Sequence, residues 1–283
     1  MCRLVAYLGD KVLLEEVLVK PANSIIMQSL HARETDVPTN GDGFGLGWYA
    51  HHISKEPALF KSISPAWNDQ NLLHLTAKVE STCFFAHVRA ASEGGVTHYN
   101  CHPFIHREWM LIHNGGIADF MPVKRHLRHL LDDDIYNWIK GETDSEHFFA
   151  LFLQLAKEKD LSQLSVAADV FQATIEKVNA LVAQFGTQDD SYFNICITDG
   201  RRLLATRYCS GKKTSPDSLH YFSGHCFTPN PLRNDTKENH SESHHAVLIA
   251  SEKLTRLDAQ WEDVPVNHML LVDDDRRIQL RPL

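Results

Sequence analysis

Short apolar runs separated by polar punctuation divide this chain into three blocks. Leu4-Val5-Ala6-Tyr7-Leu8 is a continuous apolar run of strand length and reads as a buried strand. Residues 13–19 are short and mixed. Residues 21–33 carry Ile25, Ile26 and Leu30 behind Ser24, which predicts a short helix with Ser24 as its N-cap. Residues 59–63, 83–89 and 109–113 predict further strands, the last two ending on Arg89 and on Asn114-Gly115. Asn-Gly after a strand also fits a hairpin turn. Thr143-Asp144-Ser145-Glu146 has capping-box spacing ahead of the apolar stretch 147–153 and predicts a buried helix. Residues 164–185 follow helical spacing through Val166, Val170, Ile175, Val178, Leu181, Val182 and Phe185, and Gly186 ends that second long helix. From Tyr192 the pattern returns to strands, at 192–198, 202–207, 219–222, 246–250, 268–272 and 277–280, with Asp199-Gly200 as a hairpin turn. Residues 210–218 and 230–245 read as exposed loops.

Strands, then two long helices, then strands predict an α+β chain with two sheets packed between helix layers. No linker or repeat divides it, so residues 1–283 read as one domain. Gly41, Gly43, Gly45 and Gly47 fall on alternate positions around a strand. That costs strand stability unless backbone or ligand must pass close.

The composition is that of an ordinary globular chain, 43% hydrophobic and 23% charged. No apolar run reaches the roughly 18 residues of a membrane span. No signal peptide is read at the amino terminus. A formal charge of −8 without a basic stripe argues against nucleic acid as a partner. The six cysteines are scattered, without a CxxC pair, and point to reduced thiols in a cytoplasmic protein. Cys83, Cys196, Cys209 and Cys226 read as buried packing.

The chemistry starts at Cys2. Removal of Met1 would leave a thiol and a free α-amine on one residue, with reference pKa values of about 8.5 and about 7.7–8.0. The amine can then take the thiol proton and create the nucleophile. Attack on an amide carbonyl needs an oxyanion hole, which Asn114 and the Gly115 N–H can supply. Arg89 and Asp144 supply a cation and an anion for a zwitterionic substrate head. A metal is not called for. Cys101 and His102 are adjacent and do not readily share one zinc, which needs about four ligands. The Asp132–Asp134 and Asp273–Asp275 runs lack calcium-loop spacing. His87 and His113 sit in apolar strands and read as satisfied core residues, and His240, His244 and His245 as solvated.

Six stretches together resemble the class II glutamine amidotransferases. They are Met1-Cys2-Arg3, Asn40-Gly41-Asp42-Gly43-Phe44-Gly45, Phe85-Ala86-His87-Val88-Arg89-Ala90, Cys101-His102-Pro103-Phe104, His113-Asn114-Gly115 and Gly141-Glu142-Thr143-Asp144-Ser145-Glu146. They occur in the family's order over roughly the first 160 residues. The resemblance implies a four-layer αββα sandwich of the N-terminal-nucleophile hydrolase type. It implies Cys2 as nucleophile, Asn114 and Gly115 as oxyanion hole, Arg89 on the substrate α-carboxylate, Asp144 on its α-ammonium and His102 in the pocket wall. Larger members carry an aromatic, Ala, Thr and His after the arginine. Here Ala90-Ala91-Ser92-Glu93 stand there, and Ser92 keeps a hydroxyl for a carboxylate. Residues 249–254 and 261–264 resemble the stand-alone subgroup, which includes γ-glutamyl hydrolases of ergothioneine synthesis and glutathione breakdown. The implied reaction is cleavage of a γ-glutamyl amide through a Cys2 thioester, without a cofactor. The alternatives are a glutaminase subunit that passes ammonia to a separate synthase and a non-catalytic sensor of γ-glutamyl compounds. An intact oxyanion hole argues against the sensor.

Overall fold

The computed structural model describes residues 2–91, 94–187, 189–212, 214–224, 245–255 and 261–283. Among them the strands form two antiparallel sheets. The first holds seven strands: β1 (Arg3–Leu13), β2 (Phe44–Trp48), β3 (Ala58–Ser62), β4 (Glu80–Val88), β9 (His220–Gly224), β10 (Ala246–Ala250) and β11 (Trp261–Asp263). The second holds six: β5 (Phe104–His106), β6 (Trp109–Gly116), β7 (Tyr192–Thr198), β8 (Leu203–Cys209), β12 (His268–Val272) and β13 (Ile278–Pro282). The helices are α1 (Leu14–Leu18), α2 (Ile25–His31), α3 (Gln70–Thr76), α4 (Phe120–Arg128), α5 (Asp133–Trp138), α6 (Asp144–Ala156) and α7 (Leu164–Phe185).

The continuous apolar run of β1 is explained by burial of both its faces. Successive strand side chains point to opposite faces. Val5 and Tyr7 pack with Leu14, Val17, Ile25 and Leu72 of α1, α2 and α3. Leu4, Ala6 and Leu8 pack against Met110, Ile112, Cys196 and Ala205 of the second sheet. The outer face of that sheet, with Leu111, Phe193 and Ile195, is covered by Phe148, Phe152 and Phe171 of α6 and α7. The layers therefore run helix, sheet, sheet, helix, the four-layer αββα sandwich expected from the sequence.

Most predicted strands and both long helices stand where the hydrophobic pattern put them, and β7, β10, β12 and α7 match it end to end. Asp199-Gly200 turns the β7–β8 hairpin, with Gly200 at φ 85°. Asn114-Gly115 is not a turn. Strand β6 runs on through it, paired with Asn194 and Phe193 of β7, because an adjacent strand of matching length is there to pair with. The capping box is half formed. Thr143 accepts from the Glu146 N–H at 3.2 Å, but the Glu146 carboxylate turns to the Lys140 and Gly141 N–H groups. Helices α1, α3, α4 and α5 and the three-residue strands β5 and β11 were not anticipated. All are short, and their apolar positions too few to stand out.

The glycine-rich strand β2 lies where the second sheet's lead-in crosses the first. A Cβ on Gly45 would stand 1.9 Å from the His102 carbonyl oxygen, so backbone passes directly over backbone. Gly45→Ala should cost about 3 kcal/mol or more by forcing the layers apart. Gly95→Ala, whose Cβ meets nothing within 4 Å, should shift stability by less than about 1 kcal/mol. Denaturant unfolding of both variants measures this, and equal stability would contradict the crossing as the reason for glycine.

Candidate active site

Cys2 lies beside the end of β4, Arg3 and Asp217 link it to the end of β6, and α6 begins against the residue that follows β6. Antiparallel pairing sets Arg3 of β1 opposite Val88 of β4, which carries Cys2 beside the residues following β4. The half-buried Cys2 Sγ lies 3.4 Å from both the Ala90 N–H nitrogen and the Ala90 carbonyl oxygen. Burial raises the Cys2 thiol pKa above its ordinary value, against the Ala90 hydrogen bond and the positive charges of the amino terminus, Arg89 and Arg3. A base is therefore needed to ionise it. The chain beyond β4 is clamped by Asp42, which donates its N–H to the Arg89 carbonyl at 2.9 Å and accepts from the Ala91 N–H at 2.8 Å.

Arg89 is buried, and its guanidinium donates to the Gly95 carbonyl at 3.1 Å and the Gly94 carbonyl at 3.4 Å. Asp144 is also buried, in the first turn of α6. It accepts from the Ile117 N–H at 2.8 Å and the Ser145 N–H at 2.8 Å. A helix start favours an anion there. Asn100 joins these two places, donating to the Gly95 carbonyl at 2.8 Å and accepting from the Glu142 N–H at 2.9 Å. Sequence reasoning missed Asn100, which lies in a short 3-10 turn and carries no pattern.

Asn114 and Gly115 close β6. The Asn114 Nδ2 donates to Asp217 at 3.2 Å, and its Oδ1 is buried without a hydrogen-bond partner among the described residues. Gly115 takes φ 152°, and a Cβ there would lie 2.0 Å from the Tyr192 carbonyl oxygen. His87 reaches across the sheets to the His113 carbonyl at 3.0 Å. His113 in turn contacts the Ser145 hydroxyl at 2.9 Å and the Tyr192 carbonyl at 3.0 Å, as a satisfied core residue does. Burial pushes the His87 pKa down to about 3. His102 is buried, its ring 4.1 Å from that of His87 and 4.7 Å from that of Phe104, with both ring nitrogens unpartnered among the described residues. Burial holds it well below the usual histidine range. Ser92, Cys226, His240 and His244 lie outside the described residues, and His245 contacts Ser223 at 3.2 Å. Cys83, Cys196 and Cys209 are buried, as their scatter suggested.

A second layer of charge backs Cys2. Arg3 is fully buried, 3.0 Å from Asp217 and 3.9 Å from Glu252. Glu252 also accepts from the Arg33 and Glu34 N–H groups at 2.8 and 3.0 Å and from Asn23 at 3.2 Å. The Glu34 side chain meets His220 at 2.9 Å, and His220 meets Asp263 at 2.7 Å. Segment 210–218 was expected to be an exposed loop, but it turns Pro216 and Asp217 inward. A charged residue beside an apolar run flags Arg3, since a buried charge requires a partner. Nothing in the polar segment 210–218 marks Asp217. Among the described residues, no group of three His, Cys, Asp or Glu side chains converges as a metal ion requires, and no helix is long and apolar enough to cross a membrane.

The sequence matches the family described as "Glutamine amidotransferases class-II" over residues 1–280. A probable glutamine amidotransferase of Saccharomyces cerevisiae, DUG3, is 33% identical, covering 100% of this chain and 84% of its own. The gamma-glutamyl-hercynylcysteine sulfoxide hydrolase of Mycolicibacterium smegmatis is 26% identical over 97% of this chain and 96% of its own. A class-II domain protein from Silicibacter pomeroyi has a similar fold, with a TM-score of 0.67 at 23% identity over 99% of each chain. The phosphoribosylpyrophosphate amidotransferase of Bacillus subtilis matches with a TM-score of 0.62 at 13% identity, over 99% of this chain and 49% of that one.

Burial lowers the His220 pKa, but hydrogen bonds to Glu34 and Asp263 outweigh it and leave the value raised. The His220 hydrogen bond lowers the pKa of Glu34. His220 therefore contributes stability that is complete below its unfolded pKa of about 6.5 and fades as pH rises through the higher folded value. The Glu34 contribution is present above about pH 4.3 and lost as pH falls. The loss of melting temperature in His220→Gln should be largest near pH 5.5 and shrink by about half or more at pH 8.5. A pH-independent difference would show that the contacts act without charge.

Proposed function

From the premise that this chain belongs to the class II glutamine amidotransferases, we propose that it hydrolyses the γ-glutamyl amide bond of glutamine or a small γ-glutamyl compound. The observation that carries this reading is the placement of the Cys2 thiol against Ala90, the residue next to the buried Arg89. The nucleophile thus adjoins a cation able to hold a substrate carboxylate. Asp144 can hold the α-ammonium, and a relative named as hydrolase of a gamma-glutamyl compound supports that substrate class.

The chemistry follows from these positions. With Met1 removed, the Cys2 α-amine takes the thiol proton and Sγ attacks the γ-glutamyl carbonyl carbon. The new C–S bond leaves an oxyanion facing the Asn114 amide and the Gly115 N–H. The C–N bond then breaks, and the departing amine receives the proton from the Cys2 ammonium. Water attacks the thioester, glutamate leaves and the thiol is restored. The buried His102 is taken as part of the pocket wall.

Cys2→Ala should lose several orders of magnitude in turnover while keeping its fold and its affinity for glutamate. The assay is glutamate release from a panel of γ-glutamyl amides, and near wild-type hydrolysis by the variant would remove Cys2 from the mechanism. Running the panel with and without cell extract separates a self-sufficient hydrolase from a subunit that passes ammonia to a synthase.

An N-acetylated or α-amidated substrate lacks the charge that Asp144 or Arg89 would meet, at roughly 2–5 kcal/mol. Its kcat/KM should fall by about 100-fold or more. Arg89→Lys should also be poor, since an ammonium does not reproduce the guanidinium fork. Equal cleavage of blocked and free substrates would mean that the pocket reads something other than an amino-acid head.

A further inference from the structure

We propose that Asp217 is a positioning residue that sets the nucleophile against the oxyanion hole, an inference that rests on the amidohydrolase reading above. One carboxylate oxygen of Asp217 accepts from the Arg3 guanidinium at 3.0 Å and from Asn114 Nδ2 at 3.2 Å. Arg3 adjoins Cys2 at the start of β1, in the first sheet, and Asn114 lies at the end of β6, in the second. The two halves of the site thus belong to different layers, joined by this oxygen.

Asp217 is itself held in place. It lies in the connection from β8 to β9, which crosses from one sheet to the other. Its carbonyl accepts from Asn194 Nδ2 at 3.0 Å and from Arg207 Nε at 3.0 Å. Ser218 beside it donates to the Ser251 carbonyl at 2.8 Å, and Ser251 is hydrogen-bonded through backbone and side chain to Leu4 of β1.

The chemical consequence follows from the planarity of an amide. Asn114 Nδ2 carries two N–H groups. Holding one on Asp217 fixes the amide plane and therefore the direction of the other, which is left for the oxyanion. The same bond fixes which end of the side chain is the donor. A flipped Asn114 would present oxygen to both the Asp217 carboxylate and the developing oxyanion. Asp217 touches no reacting atom and acts through Asn114 and Arg3.

The test compares two ligands on enzyme whose Met1 has been removed. Glutamate has no tetrahedral oxygen at the reacting carbon. The γ-aldehyde of glutamate does once Cys2 adds to it: the C–S bond forms, and the thiol proton moves to the former aldehyde oxygen, which occupies the oxyanion hole. Asp217→Asn should weaken aldehyde binding by about 10- to 100-fold and change glutamate binding by less than about 3-fold. The double variant Asn114→Ala/Asp217→Asn should lose less aldehyde affinity than the sum of the two single losses, because part of the Asp217 effect passes through Asn114. If Asp217→Asn does not fold, Asp217→Glu carries the same comparison, since it keeps a charge facing Arg3 while displacing the oxygen. Loss of both ligands in equal proportion, an unchanged affinity ratio, or additive losses in the double variant would overturn the role of Asp217. A wild type that binds neither ligand would overturn the glutamyl reading and this inference with it.

Discussion

A guanidinium with no solvent exposure stands at the start of the central strand β1, and much around the site is arranged to accommodate it. A buried charge is tolerated only where opposite charge and hydrogen bonds replace water. Arg3 obtains a hydrogen bond and opposite charge from Asp217 at 3.0 Å, and opposite charge alone from Glu252 at 3.9 Å. Each carboxylate carries the constraint further. Asp217 reaches Asn114 in the second sheet. Glu252 caps the backbone at Arg33 and Glu34 and holds Asn23. One buried cation thereby fixes the chain segments that flank Cys2, and it is covalently adjacent to that residue.

The layers explain why such a tie is needed. Two sheets stacked through side chains have no backbone ladder between them, so their relative placement rests on packing and a few polar bridges. The His87–His113 bond and the Asp217 bridge are two such crossings, and both lie where strand ends meet. The passage of His102 over Gly45 is a third constraint, made of excluded volume instead of attraction. The two sheets and the start of α6 are tied at their ends by hydrogen bonds, those of His87 to the His113 carbonyl and of the Ile117 N–H to Asp144 being buried.

The fold was legible in the sequence because its cues are periodic and local. Apolar runs in β1, β7, β10 and β12 and the helical spacing in α7 need no knowledge of neighbours. The Asn114-Gly115 step shows the limit of such cues, since a dipeptide that favours turns continues as strand when β7 offers a partner. Of the candidate site, Cys2, Arg89 and Asp144 were visible as reactive or charged residues at element ends, and Asn114-Gly115 as a pair of N–H donors closing a strand. Asp217, Asn100 and Glu252 were not, because each acts by meeting residues far away in the chain, across 214 positions for Asp217 and Arg3.

The central claim is that Cys2 forms a covalent bond to the γ-glutamyl group. The most direct measurement is the mass of the amino-terminal peptide after acid quenching of the enzyme during turnover of a γ-glutamyl substrate. The account predicts a peptide that begins at Cys2 and carries one γ-glutamyl group, absent from Cys2→Ala and lost when substrate is exhausted. Turnover with an unmodified Cys2 peptide, or with the γ-glutamyl group on another residue, would contradict it.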